Sequence, residues 1–365
     1  MPIPSFEFEP FPRRLYSAET LLSGFDPARP ESYADALDTR IYREFIAGGG
    51  AASGDYLTAM TRALHDNGIS QALADFGAGA SAPKIVAIMG GHGASRRDTV
   101  FAETARLAAR LTVAGFLVAS GGGPGVMEAV HLGAAFAGDP GLDDALQVLA
   151  ASNVPERIPA NAGKLVRADG TIDPAIAAAL GRYLAPALAI RRQLGRGGGL
   201  GVPTWLYGHE PTTPFAGVIA KYFQNSIRED GLLALATNGV IYMPGSAGTL
   251  QEVFQDAAQN FYHTFPMGPG KTGVFSPMVF FGETWTTTIP VKPVLDALFG
   301  PPAAAGQPRT VGNEYADWGL FTRDSDAVLK LLQDFDAPPS PSLEATLVTS
   351  AAQQQGGTLG SQTPL

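Results

Sequence analysis

A carboxylate and a glycine turn sit together in Met243-Pro244-Gly245-Ser246-Ala247-Gly248-Thr249-Leu250-Gln251-Glu252. The preceding Gly239-Val240-Ile241-Tyr242 reads as a buried strand. The following Leu250, Val253, Phe254, Ala257, Ala258 and Phe261 keep the i, i+3, i+4, i+7 spacing of a helix. A helix that starts straight after such a turn offers unpaired N–H groups and the positive end of its dipole, which together favour an anion. Glu252 stands one turn into that helix. An anion cradle beside an acid suggests chemistry on a phosphorylated small molecule. The same residues also fit a plainer role. Thr249-x-x-Glu252 is the spacing of a capping box, and glycines between strand and helix serve to turn the chain. The motif alone leaves the two readings balanced.

Two more glycine loops shift that balance. Lys84–Met89 reads as a strand, Gly90-Gly91-His92-Gly93 follows it, and residues 97–114 have helical spacing. Gly115–Ser120 reads as the next strand and leads into Gly121-Gly122-Gly123-Pro124-Gly125-Val126-Met127-Glu128. Pro124 suits the first turn of a helix, where its missing N–H costs nothing. Three strand–glycine loop–helix units predict a Rossmann-like, doubly wound parallel α/β sheet with its loops meeting at the carboxyl edge. A dinucleotide fingerprint is absent: Arg96 stands where the third glycine of Gly91-x-Gly93-x-x-Gly belongs, and Ser120 ends the second strand in place of an acid. Gly270-Lys271-Thr272 lacks the upstream glycine and strand of a Walker loop. Pro244 replaces the first glycine of a nucleophile elbow around Ser246, which argues against a serine hydrolase.

Gly121-Gly122-Gly123-Pro124-Gly125-Val126-Met127-Glu128-Ala129 and Pro244-Gly245-Ser246-Ala247-Gly248-Thr249-Leu250-Gln251-Glu252, in that order, resemble the Lonely Guy (LOG) family and its P-G-G-x-G-T-x-x-E motif. The likeness covers roughly residues 84–138 and 200–335. It implies a Rossmann-like fold, a homodimer, and a phosphoribohydrolase that releases free base and ribose 5-phosphate from a nucleoside 5′-monophosphate of purine, pyrimidine or cytokinin type. It further implies that Glu252 is the catalytic glutamate and that Arg228, in Asn225-Ser226-Ile227-Arg228, is the catalytic arginine. Gly245, Gly248 and Thr249 match the phosphate loop, and Gly122, Gly123 and Met127 the first ligand loop. Glu210, in Tyr207-Gly208-His209-Glu210-Pro211, resembles a glutamate that many members carry after the third strand. Ser246 departs from the family's glycine; its side chain either narrows the loop or donates a hydroxyl to the phosphate.

The chemistry follows from the bond broken. Cleaving an N-glycosidic bond builds positive charge on the ribose, which a carboxylate beneath the ring stabilises while orienting or deprotonating water. Glu252 is the candidate for that role. Arg228 would hold phosphate or ribose hydroxyls with a planar fork that Lys reproduces poorly. As a plain surface residue it would sit beside Glu229 and Asp230 and contribute little. In the first loop, Gly91 and Arg96 are assigned to phosphate, with Arg97 an equal alternative to Arg96; His92 stands ready to touch ligand or to play no part. The scheme needs no cofactor and no metal. The histidines are not spaced as a ligand cluster and there is no cysteine, so a zinc site is not expected. The lysines show no Schiff-base context. A nucleotide-sensing protein without catalysis and a ribose-5-phosphate transferase are the competing readings.

The 365 residues include 45% hydrophobic side chains, enough for a sizeable core, and a net charge of −9 that speaks against a nucleic-acid partner. Lack of cysteine fits the cytoplasm. The first residues lack the basic start and apolar core of a signal peptide, and no apolar run is long enough to cross a bilayer. Residues 1–80 read as a helical extension, with helical stretches near 31–47 and 54–74. It packs on the sheet, covers the site, or builds an oligomer contact. Residues 81–336 form the LOG-like domain, interrupted by a helical insertion at 139–199 (helices at 142–151 and 172–194) that serves as a lid or blocks dimerisation. A third strand is expected at Leu200–Tyr207, another at 274–281, and helices at 290–299 and 324–334. The Pro-, Ser-, Gln- and Gly-rich residues 337–365 read as a disordered tail.

Overall fold

A computed structural model describes residues 6–77, 83–206, 210–264, 273 and 275–335. Its centre is a seven-stranded, all-parallel sheet: β1 (Lys84–Met89), β2 (Phe116–Ser120), β3 (Gly198–Gly201), β4 (Ala216–Ile219), β5 (Val240–Tyr242), β6 (Met278–Phe281) and β7 (Gly319–Thr322). The strand order is β4-β3-β2-β1-β5-β6-β7. The chain thus winds outward from β1 to one edge, returns, and winds outward again from β5. This is the doubly wound α/β arrangement.

The helices are α1 (Ala18–Leu21), α2 (Leu37–Ala47), α3 (Tyr56–Gly77), α4 (Thr99–Val113), α5 (Val126–Ala135), α6 (Leu142–Ala150), α7 (Pro174–Leu194), α8 (Asn225–Leu235), α9 (Ala247–Tyr262), α10 (Lys292–Phe299), α11 (Val311–Trp318) and α12 (Ser325–Asp334). Because β1 is central, both its faces are apolar, as expected for a strand covered on two sides. Ile85, Ala87 and Met89 join the layer that includes α8 and α9, while Val86 and Ile88 join the layer that includes α4, α5 and α12. No described helix is long and apolar enough to cross a membrane.

Several boundaries differ from those the sequence suggests. The third strand is Gly198–Gly201, not Leu200–Tyr207. Its glycines let α5 press against the strand, since a Cβ on Gly198 would lie 2.1 Å from the backbone nitrogen of Ala135. β4, β7 and α11 have no counterpart in the sequence reading. β4 and β7 are four residues each, too short for alternation to be readable. The expected tail at 337–365 lies outside the described residues, as do Tyr207, Gly208, His209 and Gly270-Lys271-Thr272.

Extension and insertion build one apolar cluster on the β4 side. Leu21, Phe25, Ile41 and Phe45 meet Ile176, Leu180 and Leu184 of α7 and Trp205, Ile219 and Phe223. Tyr16 pairs antiparallel with Ile219, closing the free side of β4. Two buried carboxylates fix this contact. Asp38 accepts from the indole of Trp205 (2.8 Å) and the amide of Thr212 (3.3 Å), and pairs with buried Lys221 (2.7 Å). Asp66 accepts from the amides of Phe223 and Gln224, each at 2.9 Å. Of the roles open to the extension, packing against the sheet is the one the contacts support.

Candidate active site

The strand order reverses between β1 and β5, and at such a switch point the loops leaving the carboxyl ends diverge and leave a crevice. Hydrogen bonds tie four loops together there. The amide of Gly91 donates to Pro244 (3.3 Å), that of Val126 to Gly91 (3.1 Å), and that of Thr213 to Gly122 (2.9 Å). Two glycines make the close approach possible. Gly125 has φ +68, and a Cβ there would lie 2.5 Å from the carbonyl oxygen of His92. A Cβ on Gly245 would lie 2.1 Å from the hydroxyl of Thr249.

The result is a cleft of about 230 Å³. Gly91 and His92 line it from the first loop and Met127 from α5. Glu210, Arg228 and Glu229 face Ser246, Gly248, Thr249, Gln251 and Glu252 across it. Gly122, Gly123 and Gly245 are not among its lining residues. Gly123 makes room for two that are, since a Cβ there would meet Met127 at 2.9 Å and Glu210 at 3.5 Å, whereas one on Gly122 would meet Pro203 at 3.1 Å.

The start of α9 bears on the capping-box reading of its motif. The helix begins at Ala247, with Ser246 as N-cap, and no side chain caps it. Thr249 is therefore the third helical residue and buried, so the Thr249–Glu252 capping box does not form. Gly248 and Thr249, in the first turn, line the cleft, and no side chain caps that turn, the arrangement that holds phosphate elsewhere. Ser246 is exposed at this turn.

Arg228 is 8% exposed and its fork is oriented within its own helix. Its Nε donates to Asn225 Oδ1 (3.0 Å) and its Nη2 to Glu229 Oε1 (2.9 Å). Glu229 also accepts from Asn225 Nδ2 (2.7 Å) and from Gln251 Nε2 (2.9 Å), which joins α8 to α9 across the cleft. Sequence reasoning treated Glu229 as a mere neighbour. The signal was the i, i+3, i+4 placement of Asn225, Arg228 and Glu229 on one helix face.

Burial pushes the Glu252 carboxyl up from 4.5 to about 7; Arg228 opposes the rise, and the charges of Glu229 and Glu210 add to it. Such a carboxyl exchanges a proton near neutrality, which suits a general base. Beneath it Asp256, one turn further along α9, accepts from the Tyr242 hydroxyl (2.7 Å) and is pushed to about 7 by burial. Glu210 Oε1 lies 3.9 Å from His92 Nδ1 at the cleft mouth.

One assignment is corrected. Arg96 is not at the cleft; it is 2% exposed and paired through two nitrogens with buried Glu128. Its Nη1 donates to the carbonyl of Tyr183 (2.9 Å), whose hydroxyl donates to Glu128 (2.7 Å), and its guanidinium lies 3.9 Å from the Tyr183 ring centre. A buried guanidinium needs a partner charge, and Glu128 supplies it, so Arg96 clamps the first loop to α5 and α7. Arg97 is likewise engaged, with Glu156 and three carbonyls. No residue of the 139–199 insertion lines the cleft; through Tyr183 it braces Arg96 and Glu128.

Among the described residues no group of three or more His, Asp or Glu side chains could hold a metal ion. Compared with models of known protein families and with curated proteins, the chain matches none.

Proposed function

We propose that this cleft hydrolyses the N-glycosidic bond of a nucleoside 5′-monophosphate, giving free base and ribose 5-phosphate, and that the chain is a LOG-type phosphoribohydrolase. The observation that carries the reading is the meeting, in one cleft at the switch point, of an uncapped helix start, a buried arginine and a glutamate with a raised pKa.

In this scheme the first-turn N–H groups of α9 hold the 5′-phosphate. Arg228, pre-aimed by Asn225 and Glu229, adds a forked contact to phosphate or ribose hydroxyls. Anchoring the phosphate lets remote binding energy position the anomeric carbon. The Glu252 carboxylate then faces the ring, stabilises the oxocarbenium-like charge, and takes a proton from the attacking water as the base departs. Following the same resemblance we take the enzyme to be a homodimer, and from its lack of cysteine we place it in the cytoplasm.

The test is base release, followed by chromatography, from AMP, GMP, CMP, UMP, IMP and isopentenyl-AMP, with wild type and Glu252→Gln side by side. Release by wild type alone supports the reading. Release from no nucleotide overturns it, and nucleotide binding without release would make this a nucleotide-binding protein.

A further inference from the structure

The first half of α3 turns the ordinary arrangement of a surface helix inside out. Its polar residues Thr61, Arg62, His65 and Asp66 are buried, while its apolar residues Tyr56, Leu57, Met60 and Leu64 are exposed. A helix at a protein surface normally does the reverse. The four exposed residues stand at i, i+1, i+4 and i+8, so they form one stripe. Tyr56 is 78% exposed and the others 43–48%. Apolar residues scattered over a surface need no explanation, but a contiguous stripe marks a contact. Among the described residues, no other helix exposes more than two large hydrophobic side chains.

Beside the stripe lies a second cleft, of about 310 Å³. Ala59 and Ala63 of α3 belong to its lining, and Phe45, Leu206 and Phe223 give it apolar walls. Among the described residues that line it, Arg62 alone is charged, and its guanidinium is held by the carbonyls of Gly50 (2.6 Å) and Phe45 (3.2 Å). From Tyr56 to Gln71 no exposed residue of α3 carries a charge. One surface thus offers an aromatic knob, an apolar stripe and an apolar hole together. A patch that holds both halves of a contact is self-complementary, which is what a two-fold, isologous interface requires. The charge agrees. Each copy carries −9, so two copies repel over most of their surface and approach best where charge is absent. A membrane surface is the poorer fit, because interfacial helices flank their apolar face with Lys and Arg, and α3 exposes neither.

We propose that α3 is a self-association surface, on which two copies of this chain pack stripe against stripe about a two-fold axis near Met60. Pairing across that axis sets Tyr56 of each copy beside Ala63 and Leu64 of the other, at the cleft, and the tyrosine ring enters it. The likeness to the LOG family begins near residue 84, so this contact is separate from a dimer made through the α/β core.

Sedimentation equilibrium of the full chain over a wide range of concentration tests this, with Met60→Glu and Tyr56→Ala alongside. Both side chains are exposed, so neither change removes a contact that one copy needs to fold. Wild type should reach twice the mass of Met60→Glu, in which two carboxylates would meet at the axis. Tyr56→Ala should dissociate at least tenfold more readily than wild type. The chain has no cysteine, so a single introduced one reports its own contacts. Met60→Cys should oxidise to a disulfide-linked dimer, since bridging needs Cα atoms within about 7 Å of each other. Val113→Cys, exposed at the end of α4 in the opposite layer, should not. A wild type that stays monomeric at every concentration, Met60→Glu of unchanged mass, Tyr56→Ala that associates as tightly as wild type, or equal cross-linking of the two cysteine variants overturns the proposal. Should Met60→Glu fail to fold, Tyr56→Ala and the cysteine pair decide. No nucleotide enters these measurements, so this conclusion and the proposed hydrolysis stand or fall separately.

Discussion

Glu252→Gln should make the protein more stable while abolishing turnover, and the gain should depend on pH. In the fold the carboxyl of Glu252 titrates near 7 because it is buried; in the unfolded chain it titrates near 4.5. A carboxyl with a raised pKa favours folding in its protonated form. Its contribution is intact below pH 4.5 and is lost as pH rises through 7, where ionisation must occur in a poorly solvated site. At 1.36 kcal/mol per pH unit, this group opposes folding by about 3 kcal/mol at pH 8 and by less than about 1 kcal/mol at pH 5. Glutamine removes the ionisation. Urea denaturation of wild type and variant at the two pH values should therefore show a gain near pH 8 that largely vanishes at pH 5. Arg228's attraction for the carboxylate is already contained in the value near 7. Asp256 titrates in both proteins and cancels in the comparison. In the same framework kcat/KM of the wild type should rise with pH through about 7, because the carboxylate is the working form. A variant that is destabilised equally at both pH values would refute the reasoning, as it would mean that Glu252 is held ionised by its partners.

Other outcomes follow from the contacts around the cleft. Arg96→Met strips Glu128 of its buried partner and should cost about 3–5 kcal/mol in denaturant unfolding, while the protein that still folds keeps its nucleotide KM; a raised KM at unchanged stability would return Arg96 to the phosphate site. Arg228→Lys should lower base release at least tenfold with little change in melting temperature, since an ammonium cannot reproduce the fork held by Asn225 and Glu229. Asp66→Ala leaves the amides of Phe223 and Gln224 without their acceptor and should cost about 1–3 kcal/mol per group. It should also lower kcat by loosening the helix that carries Arg228, and an unchanged kcat in the folded variant would separate that helix from the extension.

The central strands were legible because β1, β2 and β5 are apolar on both faces and end in glycine turns, a pattern that local sequence carries in full. Glu252, Arg228, Thr249 and Met127 lie at or around one cleft because each sits at the end of an element leaving the same sheet edge. Arg96 could not be read this way. It stands beside the same edge, and whether it faces ligand or Glu128 depends on a carboxylate 32 residues away. β3 was misplaced because its glycines answer to the helix lying on it, not to strand propensity. Asp38 and Asp66 gave no signal, since isolated acids in a helical stretch normally face water; their partners come from strands and loops more than 150 residues later.

That separation bears on how the chain is made. During synthesis the helices of the extension leave the ribosome well before their partners exist: Asp66 precedes Phe223 by 157 residues, and Asp38 precedes Thr212 by 174. At about 5–20 residues per second, roughly ten to thirty seconds pass with Phe25, Ile41 and Phe45 uncovered. The extension, translated before the sheet it packs on, is thus among the last parts to find its place. In a cell this waiting interval, more than the finished fold, is when a holding chaperone or a protease would encounter the nascent chain.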